Sequence, residues 1–385
     1  MRNENCKVRV RMTAVIAAAI LGLGSGKGHA QAPNPLKGDD GAHDPMMFKV
    51  AGDYFVYYTG TGIQTKTSKD RITWRNTAAA LPAMPAWHRE YVPAAGSNLW
   101  APDVHFRAGK YWLYYSVSTS GSRVSAIGLA TAAAINPNGG TEWRDQGMVI
   151  NTSNADDYNA IDPNVYVDSS GTPWLVFGSW WSGIKMFQID PATGKRAAGS
   201  QLYALAYHKN GAEGAFLIKH GEYFYLWLSW DVCCNGASST YNIRVGRAKQ
   251  LTGPFTDSKG VALPSQGGDL IDSGDTRWKG PGHNAIFTEG DTAFLVNHAY
   301  DAQGNGRATL QIRPLYWTAD GWPTLDKSKG QVTGIHSGGT ETDSAGKIKA
   351  RSAFEAFRSV VDLRGRRESG KASPSPFRLS TPAYR

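Results

Sequence analysis

EGAFLIKHGEYFYLWL, residues Glu213–Leu228, consists of two apolar runs separated by a short turn containing Gly221. Two apolar runs joined by so short a loop read as a β-hairpin. The same unit recurs four more times: DPMMFKVAGDYFVYY from Asp44, APDVHFRAGKYWLYY from Ala101, DPNVYVDSSGTPWLVF from Asp162 and GHNAIFTEGDTAFLV from Gly282. The turn glycine lies eight residues after the first position in four units (Gly52, Gly109, Gly221, Gly290) and nine after it in the third (Gly171). Unit starts are 57, 61, 51 and 69 residues apart, and each interval holds four short strands with their turns. A repeat of that length, built of strands, is one propeller blade. The expected fold is all-β, a five-bladed β-propeller. Helical periodicity is weak, and Ser352–Leu363 is the one fair candidate.

Composition fits this reading. Forty-four glycines supply turns, and 13 Trp with 17 Tyr suit an aromatic-lined cleft. The chain divides into residues 1–30, 31–342 and 343–385. The first segment has Arg2, Lys7, Arg9 and Arg11 ahead of the apolar run Thr13–Gly24, then Gly28-His29-Ala30, the pattern of a cleaved signal peptide. Secreted or periplasmic localisation is expected. The last segment is rich in Arg, Ser and Pro, a composition that does not build a core. These two ends carry the charge. Residues 1–30 hold five Lys/Arg against one acid, and 343–385 hold ten against four, so residues 31–342 are left near −1 of the total +9. A near-neutral body excludes a nucleic-acid platform, which needs a basic face on the fold. No stable membrane association is expected either.

The first positions of the five units are Asp44, Ala101, Asp162, Glu213 and Gly282. Ala and Gly fill two of them, so the blade does not demand an acid there. Three carboxylates at one repeat position converge on one mouth of the channel. Clustered like charges shift one another's pKa values, and a fold keeps them for chemistry or for a metal. Singly, each Asp-Pro is an ordinary turn starter. Together the three acids suit glycosidic-bond hydrolysis, in which one carboxylic acid protonates the departing oxygen and one carboxylate activates water.

At these residues the chain resembles glycoside hydrolase family 43, and within it the endo-arabinanases. The matching stretches are His43-Asp44-Pro45, LWAPDV (Leu99–Val104), AIDPN (Ala160–Asn164), AEGAFLI (Ala212–Ile218) and GPGHN (Gly280–Asn284). GSWWSGI (Gly178–Ile184), CCNGASSTYNIRVGR (Cys233–Arg247) and LQIRPLYW (Leu310–Trp317) extend the likeness over about residues 40–325. The resemblance implies an inverting enzyme that cuts α-1,5-linked arabinan or arabino-oligosaccharides of the plant cell wall and acts as a monomer. It implies Asp44 as general base, Glu213 as general acid and Asp162 as the residue that orients Glu213 and tunes its pKa. His283 matches the residue beside a calcium or other ion at the channel centre; no organic cofactor is implied. Trp100 matches a cleft aromatic, and Asn164 and Ser182 lie in the matching motifs as substrate contacts. One departure is Ala215, where many relatives have Pro.

Trp180 and Trp181 precede Ser182-Gly183, and strand alternation predicts one ring for the sugar and the other for the core. Cys233 and Cys234 are adjacent; they form either a vicinal disulfide or two free thiols. The polar stretch Asn235–Tyr241 is expected to shape the cleft wall with them. Other specificities of the family (arabinofuranosidase, β-xylosidase, exo-acting galactanase) and a non-catalytic propeller lectin are the rival readings.

Overall fold

A computed structural model describes residues 36–332. The proposed leader 1–30, the basic segment 343–385 and the Ser352–Leu363 helix lie outside the described residues. What is described is almost entirely strand, in five sheets that follow one another along the chain.

Blade 1 consists of Met46–Val50, Asp53–Tyr58, Gln64–Ser68 and Thr73–Thr77. Blade 2 is Asn98–Arg107, Lys110–Val117, Ser125–Ala132 and Arg144–Thr152. Blade 3 is Asn164–Val167, Pro173–Phe177, Ile184–Gln188 and Tyr203–Ala206. Blade 4 is Ala212–His220, Tyr223–Trp230, Asn242–Ala248 and Asp269–Asp272, and blade 5 is Trp278–Glu289, Thr292–Asp301, Arg307–Trp317 and Pro323–Thr324. In each blade the four strands pair antiparallel in chain order, and the first strands surround the channel.

The strands read as continuous apolar runs because both faces of a blade are covered. In blade 2, Leu113 and Tyr115 pack with Phe55 and Tyr57 of blade 1, while Trp112 and Tyr114 pack with Leu175 and Phe187 of blade 3. Five apolar clusters of this kind fill the five junctions between blades. The chain start closes the ring. Lys37–Gly38 pairs in parallel with Thr73–Thr77 at the outer edge of blade 1. The next residues then bridge to blade 5 through Gly41 and Thr309, with Arg307 2.8 Å from Asp40.

The hairpin turns correct one sequence expectation. Ala51-Gly52 and Ala108-Gly109 hold two successive positive φ values, whereas in blades 4 and 5 only the first turn residue, Gly221 or Gly290, is left-handed. The glycine therefore sits one place earlier in the latter turns. Aligned by pairing rather than by glycine, Asp44, Ala101, Asp162, Gly214 and His283 are the equivalent residues, and all five have φ between 46° and 58°. Asp44 and Asp162 share a repeat position; Glu213 stands one residue ahead of it.

Candidate active site

The backbone N–H of each of these five left-handed residues donates to the blade before it. Ala101 N meets Thr59 Oγ1 at 2.9 Å, Asp162 N meets Ser116 Oγ at 2.9 Å, and His283 N meets Ser229 Oγ at 2.8 Å. Asp44 N donates to Nδ1 of His298 at 3.1 Å, which closes the ring. At the junction of blades 3 and 4 the acceptor is a carboxylate, because Gly214 N donates to Asp162 Oδ2 at 3.1 Å. This ring of inter-blade bonds holds the channel mouth together. Gly214 is confined by its φ of +57° and by its neighbour, since a Cβ there would lie 3.2 Å from His283 Cα.

The mouth opens into a cavity of about 660 Å³ whose wall includes Asp44, Asp162, Glu213 and His283. The three carboxylates are buried, at 9%, 7% and 8% exposure. Their surroundings differ. Asp44 Oδ2 accepts from Thr59 Oγ1 at 2.5 Å and lies 2.9 Å from His43 Nδ1. Its Oδ1 lies 3.3 Å from His283 Nδ1 and 3.7 Å from His298 Nδ1. Burial alone would raise its pKa, but His43 and then His283 pull it far below the usual carboxylate range. Asp162 and Glu213 go the other way. Burial is the larger cause for both; like charge adds to it, from Glu213 on Asp162 and from Asp44 on Glu213. Glu213 Oε2 accepts a hydrogen bond from Ser179 Oγ at 2.7 Å, and a second hydrogen bond joins it to Tyr241; both restrain the rise. Tyr241 fits because Gly282 has no side chain: a Cβ there would be 1.9 Å from its ring.

His43 reaches outward as well as toward Asp44. It stacks on His298 with centroids 4.1 Å apart, and its Nε2 is 2.9 Å from the hydroxyl of Tyr300. His43, Asp44, Thr59, Ser179, Tyr241, His298 and Tyr300 were not singled out as a set by the sequence reading, Asp44 and its His43 neighbour apart. A signal for part of it existed. A hydroxyl or imidazole (Thr59, Ser116, Ser229, His298) follows the left-handed residue by 15 places in four blades. That spacing also reveals the one-residue offset of Glu213.

The other expected site residues separate. Trp100, Trp180 and Trp181 all line the cavity. Trp180 and Trp181 are 38% and 37% exposed, so neither enters the core as alternation predicted. They lie in a turn and both have positive φ (53° and 38°), a backbone in which the two-residue period of a strand does not operate. Asn164 is not in the cavity wall. It is 3% exposed, and its Oδ1 accepts from Leu217 N at 2.9 Å, tying blade 3 to blade 4 as Asp103 Oδ2 ties blade 2 to blade 3 through Val165 N. The expectation of a substrate contact at Asn164 gives way to this structural one. Ser182 also lies outside the wall: its N–H donates to Asp157 O and its carbonyl accepts from Lys185 Nζ, both at 2.9 Å. Cys233 and Cys234 are joined by a disulfide and line the cavity.

Among the described residues, those that can converge on one metal ion are His43, Asp44 and His298. The set is rich in nitrogen, and both oxygens of its carboxylate already have partners. Calcium takes six to eight oxygens, so it does not fit as an ion ligated directly by this group. An ion surrounded mainly by water and touching one imidazole does fit. His283 turns Nδ1 to Asp44, which leaves Nε2 for such a contact.

An ionised carboxylate and raised, proton-retaining carboxyls in one sugar-sized cleft, at the mouth of a five-bladed propeller, define a glycoside hydrolase. The profile of the glycosyl hydrolases family 43 matches residues 33–323, and the chain belongs to that family. It is 43% identical over 289 residues to the extracellular endo-α-(1→5)-L-arabinanase 1 of Bacillus subtilis (strain 168), covering 73% of this chain and 87% of that protein. It is 36% identical over 301 residues to an extracellular exo-α-(1→5)-L-arabinofuranosidase of Cellvibrio japonicus, covering 74% and 87%. Among solved structures, an endo-arabinanase from Bacillus licheniformis superposes with a TM-score of 0.71 at 42% identity, over 75% of this chain and 99% of that one.

Proposed function

We propose that this protein hydrolyses α-1,5-L-arabinofuranosidic linkages within arabinan, as an exported, monomeric endo-arabinanase. The observation that carries the reading is the split between the carboxylates. Asp44 is held ionised by its imidazoles, while burial keeps Glu213 and Asp162 protonated to higher pH. A base and an acid are thus provided in one cavity. The similarity to enzymes named for α-(1→5)-L-arabinan supports the substrate, and their description as extracellular supports export.

In the proposed mechanism Glu213 donates its proton to the departing glycosidic oxygen. Asp44 takes a proton from a water that attacks the anomeric carbon from the opposite face. The product therefore has inverted configuration. Asp162 accepts the Gly214 N–H, which fixes the backbone next to Glu213, while burial and then the charge of Asp44 raise the acid's pKa. Trp100, Trp180 and Trp181 offer flat faces to the C–H-rich sides of furanose rings. A calcium-like cation held through water at His283 would supply positive charge at the channel centre when bound.

An exo-acting arabinofuranosidase is the second reading, favoured by the Cellvibrio relative. Product analysis on linear arabinan, branched arabinan and xylan separates the cases. Mixed oligosaccharides early in the reaction support endo action, a single small product supports exo action, and turnover of xylan alone overturns the substrate. Proton NMR of the first-formed product tests the stereochemistry: β-anomer first is expected, and early α-anomer means retention.

A further inference from the structure

The Cys233–Cys234 disulfide lies on the cavity wall, and Cys234 is exposed there. Its backbone leads to the catalytic carboxylate in three contacts. Cys234 N–H donates to Tyr300 Oη at 2.8 Å. Tyr300 Oη is 2.9 Å from His43 Nε2, and His43 Nδ1 is 2.9 Å from Asp44 Oδ2. Cys234 Sγ itself stands 3.7 Å from His43 Nε2. The amide that begins this path belongs to a residue of the disulfide. Cys234 has φ +64°, a left-handed conformation that disfavours any residue with a Cβ. Joining adjacent cysteines closes an eight-membered ring through their shared peptide and holds that conformation. With the ring open, Cys234 is free to return to negative φ, which turns its N–H away from Tyr300.

We infer that the vicinal disulfide is a positioning element for Asp44, acting through Tyr300 and His43, and that reducing it turns the enzyme down. This rests on Asp44 being the base. Chemically, a dithiol or phosphine breaks the S–S bond and delivers two electrons; two thiols form with protons from the dithiol or from water, and the reductant leaves as its own disulfide or as phosphine oxide. The disulfide is accessible because Cys234 is at the surface and not under a blade.

The test uses the full oxidised protein and linear arabinan, with and without a phosphine reductant, thiol release being followed by alkylation and mass spectrometry. Reduction is expected to lower kcat roughly three- to tenfold, the size of one lost orienting hydrogen bond, with little change in KM and with recovery on reoxidation. A Cys233→Ser, Cys234→Ser double variant is expected to behave as the reduced enzyme and to ignore the reductant. Tyr300→Phe is expected to lose kcat without reductant and nothing more with it, because the path is already cut. An unchanged kcat on reduction, a rise in KM alone, or a further full loss in Tyr300→Phe would each overturn the proposal. The ¹⁵N shifts of the His43 ring give a readout that needs no substrate. They are expected to move on reduction in the natural protein; no movement overturns the coupling even if arabinan proves to be the wrong substrate.

Discussion

Ser179→Ala is a direct probe of Glu213 as the acid. The serine is 3% exposed, and its hydroxyl donates to Glu213 Oε2 at 2.7 Å. A hydrogen bond to a charged group is worth about 1.5–3 kcal/mol and one to a neutral group about 0.5–1.5 kcal/mol. Ser179 therefore favours the ionised form of Glu213 by a difference of roughly 1 kcal/mol. At 1.36 kcal/mol per unit this is about 0.7 of a pKa unit. The hydroxyl holds the pKa down, so its removal lets Glu213 keep its proton to higher pH. The basic limb of kcat/KM against pH, which reports the acid of the free enzyme, is expected to move up by about that amount. The acidic limb, set by Asp44 and its imidazoles, is expected to stay. Tyr241→Phe removes the other hydroxyl from Glu213 and is expected to act in the same direction. Profiles measured on linear arabinan decide it. A basic limb that moves down, or that stays fixed while Ser179→Ala loses activity, would refute Glu213 as the group behind that limb.

Asp44→Asn and Glu213→Gln are each expected to lower arabinan hydrolysis by about 10²–10⁴. With an aryl leaving group that departs unprotonated, Glu213→Gln is expected to recover and Asp44→Asn to remain inactive; the opposite pattern reverses the roles. Trp180→Ala and Trp181→Ala are each expected to raise KM, measured on arabino-oligosaccharides, because both rings face the cavity; an effect from only one would restore the alternation argument. Asp103 is buried and its pKa is pushed up to about 7, so a cost of ionisation is absent below about pH 4, grows as pH rises to about 7 and is constant above that. Asp103→Asn keeps an acceptor for Val165 N and is expected to raise the melting temperature at pH 8, with the gain shrinking toward pH 4; a pH-independent difference counts against this linkage. A chelator is expected to lower the melting temperature and added calcium to restore it, by mass action on the folded state; scanning fluorimetry that shows neither counts against an exchangeable ion at His283.

Much of this protein was legible in its sequence because blades are built locally. Strand period, turn residues and apolar runs all act within about a dozen residues, so five hairpins could be counted and Asp44, Asp162 and Glu213 picked out without coordinates. The alignment failed by one residue at Glu213 because glycine takes the second turn position in Ala51-Gly52 and the first in Gly221-Glu222, and identity alone does not tell which φ a glycine adopts. Asn164 was misread for a related reason: a polar residue beside an acid suits a ligand and an inter-blade bond equally well. What only the tertiary structure decided is the company each carboxylate keeps. His298 meets Asp44 from 254 positions away, Tyr300 meets His43 from 257, and Ser179 meets Glu213 from 34. The first two pairings exist because the ring closes and brings the last blade against the first, and the third because blade 4 packs on blade 3. The pKa of a buried carboxyl follows from which charges and hydroxyls closure places around it, whereas the presence of the carboxyl is written in the chain.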